Sequence, residues 1–229
     1  MGEYNQFTKR WIKKETLGTK RKRAVLIVKA LLKLNPATKT ALHYKTPMQF
    51  LAAVIMSAQA TDIMVNKINE EVFKKYKTPK DYANANLKIF EKEISKIGLY
   101  KAKARNIIAA AKLIQEKFKG QIPKTMTETL TLPGVGRKTA SIVLWNVHGI
   151  VDGIAVDTHT RRLAQRLGLT IHDEPAKIEK DLMELYKNHK TWWPKITTLF
   201  IDLGRPICKA PTPKCGVCPL RTVCPSARV

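Results

Sequence analysis

The chain has 229 residues, and its 42 Lys and Arg against 18 Asp and Glu give a formal net charge of +24 at pH 7. This length suits one large domain or two small ones that share an interface. Its longest apolar runs fall far short of the roughly 20 residues of a membrane-spanning helix, and its first residues show no export or myristoylation signal. We therefore expect no membrane role and a cytoplasmic location, close to the nucleoid if the source is bacterial or archaeal.

So large a positive charge points to an anionic partner. Nucleic acid, an anionic membrane surface and acidic proteins compete for this role, beside the plainer interpretation of a basic surface that favours solubility. We favour nucleic acid because the basic residues are spread along the whole chain instead of forming one amphipathic anchor. Residues 10–23 are the most basic stretch, predicted to add phosphate affinity as an arm or as a first helix.

Helical periodicity is strong along the chain, and strand signals are weak. Residues 48–56 are apolar nearly all round, which predicts a helix buried in the core. Apolar residues also recur on one helical face in two later segments, first at Ala104, Ile107, Ala111, Ile114 and Phe118, then at Ile178, Leu182, Leu185 and Tyr186. With Pro and Gly between the segments, the pattern predicts about ten helices and an all-α fold.

Residues 130–140, Leu-Thr-Leu-Pro-Gly-Val-Gly-Arg-Lys-Thr-Ala, predict two helices joined by a glycine turn. Gly134 should end the first helix, Gly136 permits a tight turn, and the second helix should begin near Arg137. The amides at the start of that helix are suited to bind a phosphate. The segment is therefore predicted to grip the DNA backbone, although an ordinary helix connection has the same local pattern.

Lys138 lies in the first turn of the second predicted helix. The helix dipole disfavours a cation there, and with partial burial this favours the neutral amine of a nucleophile. A phosphate-binding lysine is the alternative. Asp157 is a candidate carboxylate partner for Lys138, or simply the N-cap of the next helix. His159 is either a phosphate contact or a surface imidazole, and Asp152 is interpreted as a turn former.

All four cysteines lie near the end of the chain, at Cys208, Cys215, Cys218 and Cys224. Such clustering without an export signal favours metal ligation over disulfides. Only one Cys-x-x-Cys pair is present, whereas zinc ribbons use two such pairs well apart, so a [4Fe–4S] cluster fits best and Zn²⁺ is the alternative. No acidic residue follows position 204, and the basic neighbours should favour ionised thiolates.

Together these motifs resemble the endonuclease III family of DNA glycosylases, within the helix-hairpin-helix superfamily. The resemblance rests on the Leu-Pro-Gly-Val-Gly-Arg-Lys-Thr-Ala segment, Val-Asp-Thr-His at 156–159, the cysteine spacing, Ser-Ala-Gln-Ala-Thr-Asp at 57–62 and Gly-Leu-Tyr-Lys at 98–101. It extends from about Ala24 to Cys224 with the motifs in family order. The loop at 149–155 departs from the family pattern, because it is one residue longer and lacks a proline.

The resemblance implies two helical lobes with a DNA-binding cleft between them. Residues 40–150 would form a six-helix barrel that contains the helix-hairpin-helix, and residues 1–39 with 151–229 would form the iron–sulfur domain. It also implies a bifunctional DNA glycosylase and abasic-site lyase of base excision repair, acting on oxidised pyrimidines in duplex DNA. We expect a monomer, since nothing in the sequence signals an oligomer.

The resemblance also assigns roles to individual residues. Lys138 would attack C1′ of the damaged nucleotide to give a Schiff base, and Asp157 would assist base departure and proton transfer. Gln59 and Leu99 would fill and wedge the gap that is left by the flipped base. The remaining predicted DNA contacts are Gly134, Val135, Gly136, Arg137, Thr139 and His159.

Two rival hypotheses belong to other classes of protein. A non-catalytic DNA-binding module would use the hairpin for grip alone and would form no covalent adduct. An electron-transfer protein built on the cysteine cluster would explain neither the hairpin nor the net charge.

Overall fold

A computed structural model describes residues 15–36 and 40–228. All regular secondary structure in these residues is helical, which confirms the all-α prediction. None of the described helices is long and apolar enough to cross a membrane. The chain divides into two compact units, Thr40–Asp152 and Met1–Lys39 with Gly153–Val229. Positions 10–14 of the basic stretch lie outside the described residues. Of the rest, residues 17–23 form the start of the first helix.

The described α-helices are α1 (Leu17–Leu34), α2 (Pro47–Ser57), α3 (Asp62–Lys75), α4 (Pro79–Ala83), α5 (Leu87–Glu93), α6 (Tyr100–Phe118), α7 (Met126–Thr129), α8 (Arg137–His148), α9 (Thr158–Arg166), α10 (Pro175–Leu185) and α11 (Trp193–Gly204). Short 3₁₀ helices cover Lys187–Trp192 and Cys215–Val217.

The unit Thr40–Asp152 contains α2 to α8. Its core is built around α2, where every residue from Met48 to Met56 is buried, Gln49 included, as the nearly all-apolar segment predicted. The predicted face of α6 is buried too, since Ala104, Ile107, Ala111 and Ile114 have no exposed surface. Phe118 at the end of this face is partly buried against the same core.

Helix starts differ within this unit. Five helices begin after an N-cap residue whose side chain accepts a hydrogen bond from a backbone amide of the first turn. These N-cap residues are Thr46, Thr61, Thr78, Asn86 and Thr125. Helices α6 and α8 have no such cap, because they begin behind Leu99 and Gly136. The first amides of a helix have no hydrogen-bond partner within the helix. At the starts of α6 and α8 no N-cap side chain accepts a hydrogen bond from these amides.

The other unit packs α1 with α9, α10 and α11. Ile178, Leu182, Leu185 and Tyr186 are all buried, which confirms the predicted face of α10. The Tyr186 hydroxyl donates a 3.2 Å hydrogen bond to the carbonyl oxygen of Ala24 on α1. On the same helix Arg23 forms a two-pronged ion pair with Glu15, at 2.9 and 2.8 Å, and also donates to the carbonyl of Leu167 after α9.

Candidate active site and cysteine cluster

The hairpin between α7 and α8 is a tight turn that glycine makes possible. Gly134 has φ +78°, and the amide of Val135 donates to the carbonyl of Leu132 at 3.1 Å. A Cβ atom at Gly134 would lie 2.8 Å from Cβ of Asn106 on α6, closer than such atoms approach. Position 134 therefore needs glycine both for its left-handed backbone and for its contact with α6.

Most predicted DNA contacts of the hairpin lie at the surface. Gly134, Gly136 and Arg137 are exposed, and Thr139 is half-buried. Val135 is the exception: its side chain is buried in the core, and its amide hydrogen bond lies within the turn. The side chain of Val135 therefore stabilises the hairpin.

Lys138 lies in the first turn of α8, as predicted. Its side chain is exposed, so the expected partial burial is wrong. The physical reason is the orientation of α8, which turns Ala140, Val143 and Leu144 toward the core and leaves its first turn at the surface. Neighbouring Arg137 lies 3.9 Å from the carboxylate of Asp152, a surface ion pair that the interpretation of Asp152 as a turn former did not include.

Gln59 and Leu99 occupy two exposed turns of the same unit. Gln59 follows the end of α2 with φ +56°, and Leu99 precedes α6 with φ +60°. Leu99 is 64% exposed, which leaves its side chain available to a partner. A Cβ atom built on Gly98 would lie 4.0 Å from the carbonyl oxygen of Gln59, so the two turns are adjacent.

Asp157 belongs to the other unit and is the N-cap of α9. Its Oδ1 accepts a 2.7 Å hydrogen bond from the amide of Thr160, which confirms the structural role foreseen for this residue. His159 on α9 lies with Nδ1 3.0 Å from the guanidinium of Arg162. Arginine can only donate, so Nδ1 is the acceptor in this contact.

Two arginines of α9 bind the loop that carries the first cysteine. Arg162 donates through Nε to the carbonyl of Cys208 at 3.1 Å, and burial lowers its pKa. Arg166 donates to Sγ of Cys208 at 3.4 Å and to the carbonyl of Lys209 at 2.7 Å. The helix that begins at Asp157 is thereby fastened to the cysteine loop.

The four cysteines line one small cavity. Apolar residues, among them Leu163, Leu203 and Leu220, form much of its wall. All four thiols are half-buried, and none is in a disulfide. Within the described residues no three His, Cys, Asp or Glu side chains are gathered closely enough to hold a single metal ion. Four cysteines around one cavity are nevertheless the donor set of a thiolate-bound metal centre.

Burial outweighs the basic surroundings of these thiols. It raises the pKa of Cys218, and it raises the pKa of Cys224 to about 11. The expectation that neighbouring cations would favour thiolates is therefore wrong for these two residues. A bound metal centre would have to displace their protons by direct ligation.

Several site residues escaped the sequence analysis. Lys103 and Asn106 lie on α6, and Arg162 and Arg166 lie on α9. Lys103 and the two arginines form hydrogen bonds to residues far away in the chain, and Asn106 lies against Gly134. One signal was available for Lys103, because it lies four residues before Ile107 on an otherwise apolar helical face. A lysine on such a face indicates a specific buried partner.

A helical fold with a glycine turn followed by Lys138 is the arrangement of one class of DNA repair protein. Residues 52–188 match the model of the HhH-GPD family, the HhH-GPD superfamily base excision DNA repair protein. Over 212 residues the chain is 43% identical to endonuclease III of Synechocystis sp., covering 93% of this chain and 96% of that protein. It is 40% identical to endonuclease III of Bacillus subtilis, covering 82% of this chain and 85% of the relative.

The chain also resembles a solved trapped endonuclease III–DNA covalent intermediate, an estranged-adenine complex, with a TM-score of 0.83 and 38% identity over 93% of this chain and 97% of that one. The chain belongs to the endonuclease III family.

Proposed function

We propose that the chain excises oxidised pyrimidines from duplex DNA and then cleaves the abasic strand, with Lys138 as the nucleophile and Asp157 as its carboxylate partner. The observation that carries the proposal is a lysine in the first turn of α8, directly after a glycine turn, in a member of the endonuclease III family. The exposure of Lys138 supports the proposal as well, because an extruded nucleotide can reach its amine without rearrangement of the core.

The proposed chemistry has four steps. The amine of Lys138 attacks C1′, and the bond from C1′ to the base breaks with its electron pair leaving on the base, which takes up the proton that the amine loses. Cleavage of the C1′–O4′ bond then gives an iminium ion between C1′ and Nζ, which acidifies the protons on C2′. Loss of one of these protons breaks the C3′–O bond and releases the 3′ phosphate, and water hydrolyses the remaining imine to restore the amine.

The Asp157 carboxylate is proposed to stabilise the positive charge that develops on the sugar and to pass protons during the later steps. Its hydrogen bond from Thr160 fixes the side chain at the start of α9. That bond uses Oδ1 and is compatible with both roles, since a carboxylate accepts several hydrogen bonds.

The DNA contacts are proposed to centre on the two helix starts without a side-chain cap. Phosphates bind well where helix amides and the positive end of the dipole face outward, and α8 begins so at Gly136. Gln59 and Leu99 are proposed to occupy the gap in the duplex after the base has left the stack. The remaining proposed DNA contacts are Gly134, Val135 through its main chain, Arg137, Thr139 and His159.

The four cysteines are proposed to hold a [4Fe–4S] cluster. Thiolates on one tetrahedral Zn²⁺ would lie about 3.8 Å apart, given Zn–S bonds of about 2.3 Å, whereas the thiolates of a four-iron cluster bind separate irons. The sequence has only one Cys-x-x-Cys pair, whereas zinc ribbons use two such pairs well apart, and this spacing supports the cluster over zinc. Such a cluster would supply structural cross-links between Cys208 and the last cysteines.

The unit Thr40–Asp152 is proposed to be the six-helix-barrel domain of residues 40–150, and the other unit the cluster domain. Since the substrate is chromosomal DNA, we propose that the protein works in the cytoplasm as a monomer, on duplexes that contain damaged bases or abasic sites.

Borohydride trapping on a duplex with one oxidised pyrimidine tests this function. Borohydride reduces an iminium ion to a stable amine, so the wild type should become covalently attached to the DNA and Lys138→Ala should not. Lys124→Ala, which removes another exposed lysine, is the matched control and should be trapped like the wild type. Tight binding by the wild type without any adduct would instead favour a binding module or a glycosylase without lyase activity.

A further inference from the structure

Lys103 is a buried lysine that the proposed chemistry does not use. It lies on α6 with only 5% of its surface exposed, and its Nζ lies 2.9 Å from the carbonyl oxygen of Met56 and 2.5 Å from that of Ala58. Burial lowers the pKa of this amine. Removing an ammonium group from water is costly unless hydrogen bonds compensate. The two carbonyl groups are therefore the reason for a lysine at this position.

Both carbonyl groups lie at the C-terminal end of α2, which ends at Ser57. The last carbonyls of a helix have no partner within it, and a positive charge near them is favourable. The residue after Ala58 is Gln59, whose backbone is left-handed with φ +56°. Lys103 thus holds the main chain on the residue directly before Gln59.

The turn of Leu99, whose φ is +60°, lies beside the turn of Gln59. A Cβ atom built on Gly98 would lie 4.0 Å from the carbonyl oxygen of Gln59. The 3.0 Å hydrogen bond from the amide of Lys103 to the carbonyl of Leu99 is the first bond of α6, which any residue except proline at position 103 would form. The side chain of Lys103 therefore acts on the turn of Gln59, and a shift of that turn would reach the adjacent turn of Leu99.

A left-handed backbone costs a non-glycine residue roughly 1–2 kcal/mol. Such conformations persist only where the surrounding structure holds them, and they are frequent at functional sites. At Gln59 and Leu99 the backbone is held in this way while both side chains remain exposed.

We propose that the side chain of Lys103 is a positioning group that holds the turn of Gln59, and through it the adjacent turn of Leu99, ready for insertion into the duplex. This inference rests on the proposed function, because it takes these two side chains as the groups that replace the flipped base. Lys103 has no part in the attack on C1′, so it should matter only where a paired base has to leave the stack.

The test compares two substrates on the same preparation of each variant. One is a duplex with a paired oxidised pyrimidine, which requires flipping, and the other is a single-stranded oligonucleotide with a preformed abasic site, which does not. Lys103→Met keeps the length of the side chain and removes the charge. We expect it to slow single-turnover base excision roughly 100-fold, the scale of a small misplacement of reacting groups, and to leave abasic cleavage within about 2-fold.

The ratio of the two rates is unaffected by a fraction of misfolded protein. Lys112→Met, on the exposed side of the same helix, is the matched control and should leave the ratio unchanged. If Lys103→Met cannot be purified, Lys103→Gln keeps a donor for one carbonyl and should give an intermediate ratio. An equal loss on both substrates, or no loss on either, would overturn the inference.

A double-mutant cycle separates positioning from general stability. In a chain that already carries Gln59→Ala and Leu99→Ala, the Lys103→Met change should cost less than about 2-fold, because its effect passes through the two missing side chains. The same cost in both backgrounds would contradict the role of Lys103. If the wild type itself forms no adduct with borohydride, the proposed function fails, and that result is distinct from a failure of this inference.

Discussion

Replacing Gly134 by alanine tests how much the hairpin depends on glycine at this position, measured as a loss of unfolding free energy. The left-handed backbone at φ +78° would cost alanine roughly 1–2 kcal/mol. The new Cβ atom would lie 2.8 Å from Cβ of Asn106, and overpacking of this kind costs about 1–3 kcal/mol. Alanine also restricts the unfolded chain, and this offsets about 0.4–1 kcal/mol of the loss in unfolding free energy. The expected net loss of unfolding free energy is therefore about 1–4 kcal/mol.

Gly136→Ala is the matched control. Its φ is −93°, and a Cβ atom there would meet nothing within 4 Å. Alanine is a clearly poorer N-cap than glycine, by roughly 0.7 kcal/mol. It also restricts the unfolded chain, which stabilises the fold by about 0.4–1 kcal/mol, so the net change should stay within about 0.5 kcal/mol of zero.

Denaturant titration without DNA measures both values, and hydrogen exchange of the α8 amides locates the loss. If the two variants differ by less than about 0.5 kcal/mol, the steric argument for Gly134 is refuted.

Two further predictions concern the unit that carries the cysteines. A Cβ atom at Gly204 would lie 2.8 Å from Nδ1 of His159, so Gly204→Ala should lower the unfolding free energy by about 1–3 kcal/mol. At Gly18 in α1 a Cβ atom would meet only an ordinary contact, so Gly18→Ala should be neutral or stabilising in the same titration. Cys215→Ala should abolish the visible absorbance of a bound cluster and weaken DNA binding. It should also lower the unfolding free energy by at least about 2.7 kcal/mol, the stabilisation that a ligand gives at 100 times its dissociation constant. Unchanged folding and DNA affinity would contradict a structural cluster. The control is Val217→Ala, because Val217 lies in the same 3₁₀ helix and is 71% exposed.

The elements of the fold were predictable because their signals are local. Apolar residues at helical spacing mark the buried face of α6, and the nearly all-apolar segment 48–56 marks α2 as a core helix. The start of α8 at Arg137 follows from the glycine turn, and Asp157 is the N-cap that its residue type favours. Each of these features depends on backbone geometry within a few residues, which the sequence shows directly.

The parts of the site that join distant residues were decided by packing. Lys103 binds the carbonyl of Met56, and Arg166 binds Cys208; neither pair has a local signature. The exposure of Lys138 was also set by tertiary structure, because the side of α8 that faces the core depends on its neighbours. Residue type and spacing thus determined the helices, the hairpin and the clustering of the cysteines, and tertiary packing decided which side chains are buried and what they hold in place. The reason is that helix and turn signals act over a few residues, whereas burial and long-range hydrogen bonds depend on how the whole chain is packed.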